Sequence, residues 1–109
     1  MYFTLTFDID ETLHFEEKEE LKNFVKDCVS LKNNHWVKPL SNLYIVGCNN
    51  ESDRKIILDN LMVKSKSLEG KMRFMMSPLI NAGHFSGYAE KELWEHIKRV
   101  TNKDLYGLY

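Results

Sequence analysis

Hydrophobic and polar residues alternate with a period of two at the start of the chain. Residues 2–9 carry apolar side chains at positions 3, 5, 7 and 9, and Thr4, Thr6 and Asp8 lie between them. This alternation predicts a β-strand with one face in the core and the other more polar. A strand that helices cover on both faces would be apolar throughout. The pattern therefore predicts a sheet whose two faces are covered unequally.

A helical period replaces the alternation after this strand. Apolar residues recur at i, i+3, i+4, i+7 and i+8 from Leu21, which predicts an amphipathic helix over residues 16–31. A short strand then precedes a stronger one at residues 43–48, and residues 39–42 are expected to form the turn between them. These elements make a β-α-β-β unit.

The second half of the chain is predicted to add a helix, a strand and a last helix. Asn49 or Asn50 is expected to cap a second helix, which ends before a loop at "SKSLEGK". A strand is predicted at residues 72–79, a glycine-punctuated turn at "NAGHFSGY" and a last helix over residues 89–100. The order β-α-β-β-α-β with a trailing helix predicts an α+β fold. We expect a ferredoxin-like sandwich with an antiparallel sheet, helices on one face and a C-terminal helical segment.

Length and charge narrow the class of protein. A chain of 109 residues and 12.9 kDa is expected to form a single domain, residues 1–109. Its 43% hydrophobic and 28% charged residues exclude a disordered or fibrous protein. The net charge of −1 lacks the basic excess typical of nucleic-acid-binding domains. Seven acids and one base lie at positions 8–20, whereas positions 64–73 carry four bases and one acid.

The spacing of the cysteines and the composition of the first ten residues bear on the cellular compartment. Cys28 and Cys48 have no CxxC spacing, and Cys28 lies on the apolar stripe of the first predicted helix, as a small core residue would. The first ten residues lack the basic start and apolar run of a signal peptide, and no segment has the length of a membrane span. We expect a cytoplasmic protein with reduced thiols and no membrane partner.

The sequence "DIDET" at the end of the first strand is compatible with three interpretations. It fits the nucleophile motif of haloacid-dehalogenase phosphohydrolases, it could hold a lone metal-binding Asp8, or Asp8 could bind backbone amides at a turn before a helix capped by Thr12. The phosphohydrolase is the weakest, because its core strand should be apolar on both faces. Ser77 could hold phosphate there and Lys91 or Lys98 could offset charge, but beyond these residues only Asp104 remains as a late acid.

Three stretches resemble a family of small ferredoxin-fold proteins. "MYFTLTFDI" resembles the family's opening strand, which ends in Tyr/Phe-Asp. "HWVKPLSNLYIV" is similar to a SinR-like segment with an aromatic strand and a Ser-aromatic pair before two β-branched residues. "MRFMMSPL" and "HFSGYAEKELWEHIK" resemble the last strand, small-residue turn and Trp-bearing terminal segment. The family contains the CRISPR-associated adaptation nuclease, SinR-like proteins and virulence-associated protein D, and the likeness covers most of the chain in order.

The resemblance implies a homodimer associated with RNA or DNA. In such a dimer each subunit would contribute Asp8 to a shared Mg or Mn site, assisted by Asp10, for a metal-dependent endoribonuclease or nuclease. The acidic stretch "DETLHFEEKEE" departs from the basic segment that the adaptation nucleases commonly have there, and carboxylates oppose phosphate binding. The alternative is a non-catalytic binding or scaffold protein on the same fold.

The end of the chain also bears on assembly. A layer of two helices covers one face of a sheet and leaves the face of Tyr2, Thr4 and Thr6 open. Trp94, Tyr106 and Tyr109 make the terminal segment too aromatic for a solvated tail, so it should cover that face or cross to a partner. We expect a two-fold homodimer burying more than about 1,000 Å² in total.

Overall fold

The computed structural model describes residues 2–78, 85–88, 90–101 and 105–108. Helices and strands alternate along the chain, with a short 3-10 turn at Leu31–Asn33. In chain order the elements are β1 (Tyr2–Ile9), α1 (Phe15–Val29), β2 (His35–Leu40), β3 (Leu43–Gly47), α2 (Glu51–Ser67), β4 (Met72–Pro78), β5 (Phe85–Tyr88), α3 (Lys91–Thr101) and β6 (Leu105–Leu108).

Four strands form the main sheet, in the order β2-β3-β1-β4 with antiparallel neighbours. β1 and β2 therefore run parallel with β3 between them, and β3 and β4 run parallel with β1 between them. This is the split arrangement of two βαβ units, so the predicted α+β, ferredoxin-like plan with an antiparallel sheet is confirmed. β5 and β6 form a separate parallel pair.

The main core lies between α1, α2 and one face of the sheet. β1 contributes Phe3, Leu5 and Phe7, each at most 3% exposed, as its alternation predicts. The helices meet them with side chains at helical spacing: Leu21, Val25, Cys28, Val29, Ile57 and Leu61. Burying a side chain of this size stabilises the fold by about 1.5–3 kcal/mol. The expected place of Cys28 in the core is confirmed.

The other face of the sheet is covered only in part. Trp94 and Ile97 of α3 pack against Val37 of β2 and Ile45 of β3. The prediction that the terminal segment covers this face is confirmed for Trp94, over the β2–β3 half. The side chains of Tyr106 and Tyr109 lie outside the described residues. On the β1–β4 half of this face the side chains are mostly exposed: Thr4 is half-buried, and Thr6, Asp8, Arg73, Met75 and Ser77 are exposed.

Several element boundaries differ from the prediction because tertiary contacts override local signals. Residues 39 and 40 belong to β2 rather than to the turn; Pro39 is tolerated because β2 is an edge strand, and the register shifts between Val37 and Leu40. Phe85–Tyr88 is a strand, because it pairs with β6, and not part of a turn.

The helix ends also differ from the prediction. α2 continues through Ser67, where a loop was expected; Lys64 and Lys66 in its last turn complement the helix dipole, and the Ser67 hydroxyl donates to the Lys64 carbonyl at 2.7 Å. Asn50, not Asn49, is the N-cap, with its side chain accepting from the Asp53 amide at 2.9 Å. None of the helices in the described ranges is long and apolar enough to cross a membrane.

Candidate functional site

The uncovered half of the second sheet face is the surface that the sequence marked as polar. We define the open face as six side chains, three from β1 and three from β4. They are Thr4, Thr6, Asp8, Arg73, Met75 and Ser77. Their neighbours in each strand point to the core, so alternation alone places the six together. The expected position of Asp8 beside Thr4 and Thr6 on this face is confirmed.

Asp8 is paired with a base across the two strands. The register sets Asp8 opposite Arg73, and the Arg73 guanidinium donates to Asp8 Oδ2 at 2.6 Å. Both side chains are well exposed, Arg73 by 75% and Asp8 by 63%. An exposed pair of this kind contributes less than about 1 kcal/mol to folding, because water and salt screen it. The pair therefore shapes the charge of the open face more than it stabilises the chain.

Asp10 anchors the turn that follows β1. Its Oδ1 accepts hydrogen bonds from the Thr12 amide at 2.8 Å and from the Thr12 hydroxyl at 2.7 Å. These bonds to the backbone and then to the hydroxyl lower the pKa of the Asp10 carboxyl, since they favour its charged form. The interpretation of Asp8 as the turn anchor is therefore wrong, because Asp10 has that role. Thr12 does not cap α1 either, since His14 occupies the N-cap position.

A shallow cleft brings the two aspartates together. It has a volume of about 470 Å³ and is lined by Asp8, Asp10 and Glu11 on one side and by Lys71 and Arg73 on the other. The cleft is thus of mixed charge. Its floor is held in place by the Asp10 amide, which donates to the Lys71 carbonyl at 2.8 Å.

The described residues at this cleft offer only part of a ligand set for Mg or Mn. Hard divalent cations prefer about six oxygen ligands, and one oxygen of Asp8 and one of Asp10 already accept hydrogen bonds within the chain. In the part of the chain that the structure describes, no three His, Cys, Asp or Glu side chains are grouped so that they could hold a metal ion. A second Asp8 from another subunit would be needed to enlarge the ligand set.

The phosphohydrolase interpretation does not agree with the geometry. That class uses a parallel, doubly wound sheet, whereas β1 is antiparallel to both of its neighbours. Ser77 pairs with Thr4, four residues along β1 from Asp8. At 3.4 Å per residue the two positions are about 14 Å apart, too far for one phosphate to contact both.

Arg73 is the residue that sequence reasoning missed. It lies in the alternation of β4 between the core-facing Met72 and Phe74, so its place on the open face was readable from the pattern. Its pairing with Asp8 was not, because strand register depends on the turns and packing of the whole sheet. A lone carboxylate was therefore expected where the structure has an ion pair.

Comparison of the chain with protein-family profiles, with curated proteins and with solved structures gives no match in any of the three. The resemblance to the CRISPR-associated, SinR-like and virulence-associated protein D family therefore rests on the sequence stretches alone. Because a fold of this kind hosts many functions, the function has to be argued from the open face and the cleft.

Proposed function

We propose that the protein is a non-catalytic binding module that forms a two-fold homodimer through its open face. The observation that carries this proposal is a sheet half that none of the described helices covers, on which Met75 is 68% exposed beside the Asp8–Arg73 pair. The matching surface of the other half is buried under Trp94 and Ile97. A second copy is the cover that the chain itself can supply.

The charges of the open face suit contact with an identical surface. In a two-fold contact the same patch meets itself, so each residue faces a residue of the same patch. A patch of one charge sign would repel its copy, whereas one with Asp8 and Arg73 side by side offers each copy the opposite charge. Thr4, Thr6 and Ser77 are short, which allows the two sheets to approach. We expect a buried area above about 1,000 Å² in total.

The chemistry of the cleft favours binding over catalysis. One oxygen of Asp8 accepts a hydrogen bond from Arg73 and one oxygen of Asp10 accepts from Thr12, so both carboxylates already have partners within the chain. Asp8, Asp10 and Glu11 of the acidic stretch line this cleft and oppose phosphate binding, although Lys71 and Arg73 line it as well. From the three similar stretches we infer that the protein belongs to the adaptation-nuclease and SinR-like family. We infer that it binds a partner but does not catalyse a reaction.

The test is the molar mass in solution, measured by light scattering after size-exclusion chromatography. The wild type is expected to be a dimer at micromolar concentration, and Met75→Glu a monomer, because the new carboxylate would be buried in the contact. Val63→Glu is the matched control: Val63 is 70% exposed but lies on α2, away from the open face. A monomeric wild type, or equal loss of mass in both variants, would refute the proposal.

A second candidate function is the metal-dependent nuclease. It is favoured by one observation: Asp8 is exposed on the very face proposed to meet a second copy. There, two Asp8 carboxylates would contribute to one Mg or Mn site, and Arg73 would have to release its partner. Loss of metal-dependent cleavage of RNA or DNA in Asp8→Asn is the result that would support it.

A further inference from the structure

A groove runs along the outer side of β4, between that strand and α2. It has a volume of about 630 Å³, within the range of ligand-binding clefts. Leu58 and Met62 of α2 and Phe74 and Met76 of β4 make its walls apolar. A second, smaller cavity lies at the end of β4, lined by Ser77 and Pro78 and, from α2, by Glu51 and Arg54, of which Arg54 also lines the larger cavity. Together the two cavities follow the length of the strand.

Basic side chains line the larger cavity. Arg54 and Lys66 come from α2, and Arg73 comes from β4. No acid lines this cavity among the residues that the structure describes. Arg54 is bonded to Glu51 at 2.8 Å, and Arg73 to Asp8, so Lys66 is the base for which no ion pair is recorded in the described structure. An anionic partner would complement this rim.

The edge of β4 beside the groove is open and regular. Within the described residues β4 pairs only with β1, through seven consecutive partners from Phe3↔Pro78 to Ile9↔Met72 without a register shift. The opposite edge of the sheet, β2, carries Pro39 and an irregular register, two devices that prevent strand addition. Between Met72 and Ser77, β4 carries one charged side chain, Arg73, but no proline and no register shift. Its outer backbone groups are a template for another strand.

We propose that this groove binds an extended acidic peptide of a partner protein, which adds to β4 as a further strand of the sheet. Main-chain hydrogen bonds to the edge would supply affinity. The peptide side chains that point into the groove would be apolar against Met62 and Phe74 and acidic against Lys66. The side chains between them would point to the other face of the sheet, beside Met75. This peptide site lies on the helix side of the sheet and shares only Arg73 with the open face.

Two other occupants are disfavoured by the same observations. A second copy of this groove, related by a two-fold axis, would set Arg54 and Lys66 against their own equivalents, which is repulsive. Single-stranded nucleic acid would find cations but little to stack on, since Phe74 is the one aromatic side chain lining the larger cavity in the described structure. The apolar walls and the open strand edge suit a peptide better.

The experiment is fluorescence anisotropy with a labelled peptide about as long as a usual strand, with valine and glutamate at the alternate positions that face the groove and threonine at the positions between them. Wild-type protein is expected to bind it, and Met62→Glu to weaken binding about tenfold or more, because a carboxylate would enter the apolar wall. Val63→Glu, the next residue of α2 but outside the groove, is expected to change the affinity less than about twofold. No binding by the wild type, or equal losses in the two variants, would overturn the proposal.

A second pair of variants tests the contribution of the Lys66 charge. Its control carries the same substitution elsewhere on α2, so that a loss of binding caused by misfolding can be recognised. Lys66→Glu is expected to weaken binding about tenfold, and Lys55→Glu, an exposed change on the same helix outside the groove, less than about twofold. Equal binding of a valine–lysine peptide or of a single-stranded oligonucleotide would contradict the acidic-peptide assignment.

Discussion

The two halves of the four-stranded sheet consist of similar strands, but they differ in how far the rest of the chain covers their second face and protects their outer edge. The β2–β3 half has α3 on its second face, where Val37 and Ile45 are at most 2% exposed. Its outer edge carries Pro39 and an irregular register. This half is closed to partners on its face and protected at its edge.

The β1–β4 half is open in both respects. Its second face is exposed, with Asp8, Arg73 and Met75 in contact with solvent, and its outer edge is regular. An exposed regular edge favours unwanted pairing, and proteins usually blunt it. Because the chain protects one edge and leaves the other, the difference indicates that the available binding surface is concentrated in the β1–β4 half. Both proposed sites lie there.

The largest expected effect concerns the covered half. Ile97→Ala should lower the free energy of unfolding by about 2–5 kcal/mol, because it removes buried methyl groups between α3 and the sheet. Met75→Ala, on the open half, should change it by less than about 0.5 kcal/mol in the monomer. Urea unfolding followed by tryptophan fluorescence measures both values. Similar losses at the two positions would show that the two halves of the face are equally packed.

A smaller effect is expected for the ion pair of the open half. Asp8→Asn should lower the free energy of unfolding by less than about 1 kcal/mol, because the Asp8–Arg73 pair is exposed. If the protein is a non-catalytic module, neither wild type nor variant cleaves single-stranded RNA or duplex DNA with Mg or Mn, and neither metal raises the melting temperature.

The opposite result would identify the protein as the nuclease. Metal-dependent cleavage by the wild type that falls by orders of magnitude in Asp8→Asn would replace the binding module with the nuclease. Arg73→Gln is the matched control, since it removes the partner of Asp8 but keeps the carboxylate. In the nuclease it should retain cleavage, because Asp8 is then free to bind metal.

The smallest effect is a pH dependence from Asp10. Its pKa is lowered from 3.8 in the folded chain, first by the hydrogen bond from the Thr12 amide. Its contribution to stability is therefore complete above about pH 4 and is lost as the pH falls through the lower, folded pKa. Asp10→Asn keeps an oxygen acceptor for Thr12 but does not titrate, so its stability should depend less on pH in that acid range. Urea unfolding at a series of pH values tests this, and an identical acid profile in both proteins would contradict it.

The local pattern predicted much of the architecture. The alternation of residues 2–9 agrees with the limits of β1, Asn50 caps α2 as one of the two expected residues, and Trp94 lies on the sheet. Predictions failed where the local signal was weak or misleading. The serines and lysines of "SKSLEGK" suggested a loop, yet α2 continues to Ser67 because its last turn has favourable charges and Leu68 packs against the core.

The sequence by itself determined which side chains share a face of the sheet, because alternation along a strand leaves no other choice. It thus placed Asp8 with Thr4 and Thr6, and its helical periods chose the core. Only the tertiary structure decided what each of these residues meets. Register pairs Asp8 with Arg73, sixty-five residues away in the chain, and the position of α3 leaves one half of the face open. Those facts depend on contacts between distant segments, which no local pattern specifies.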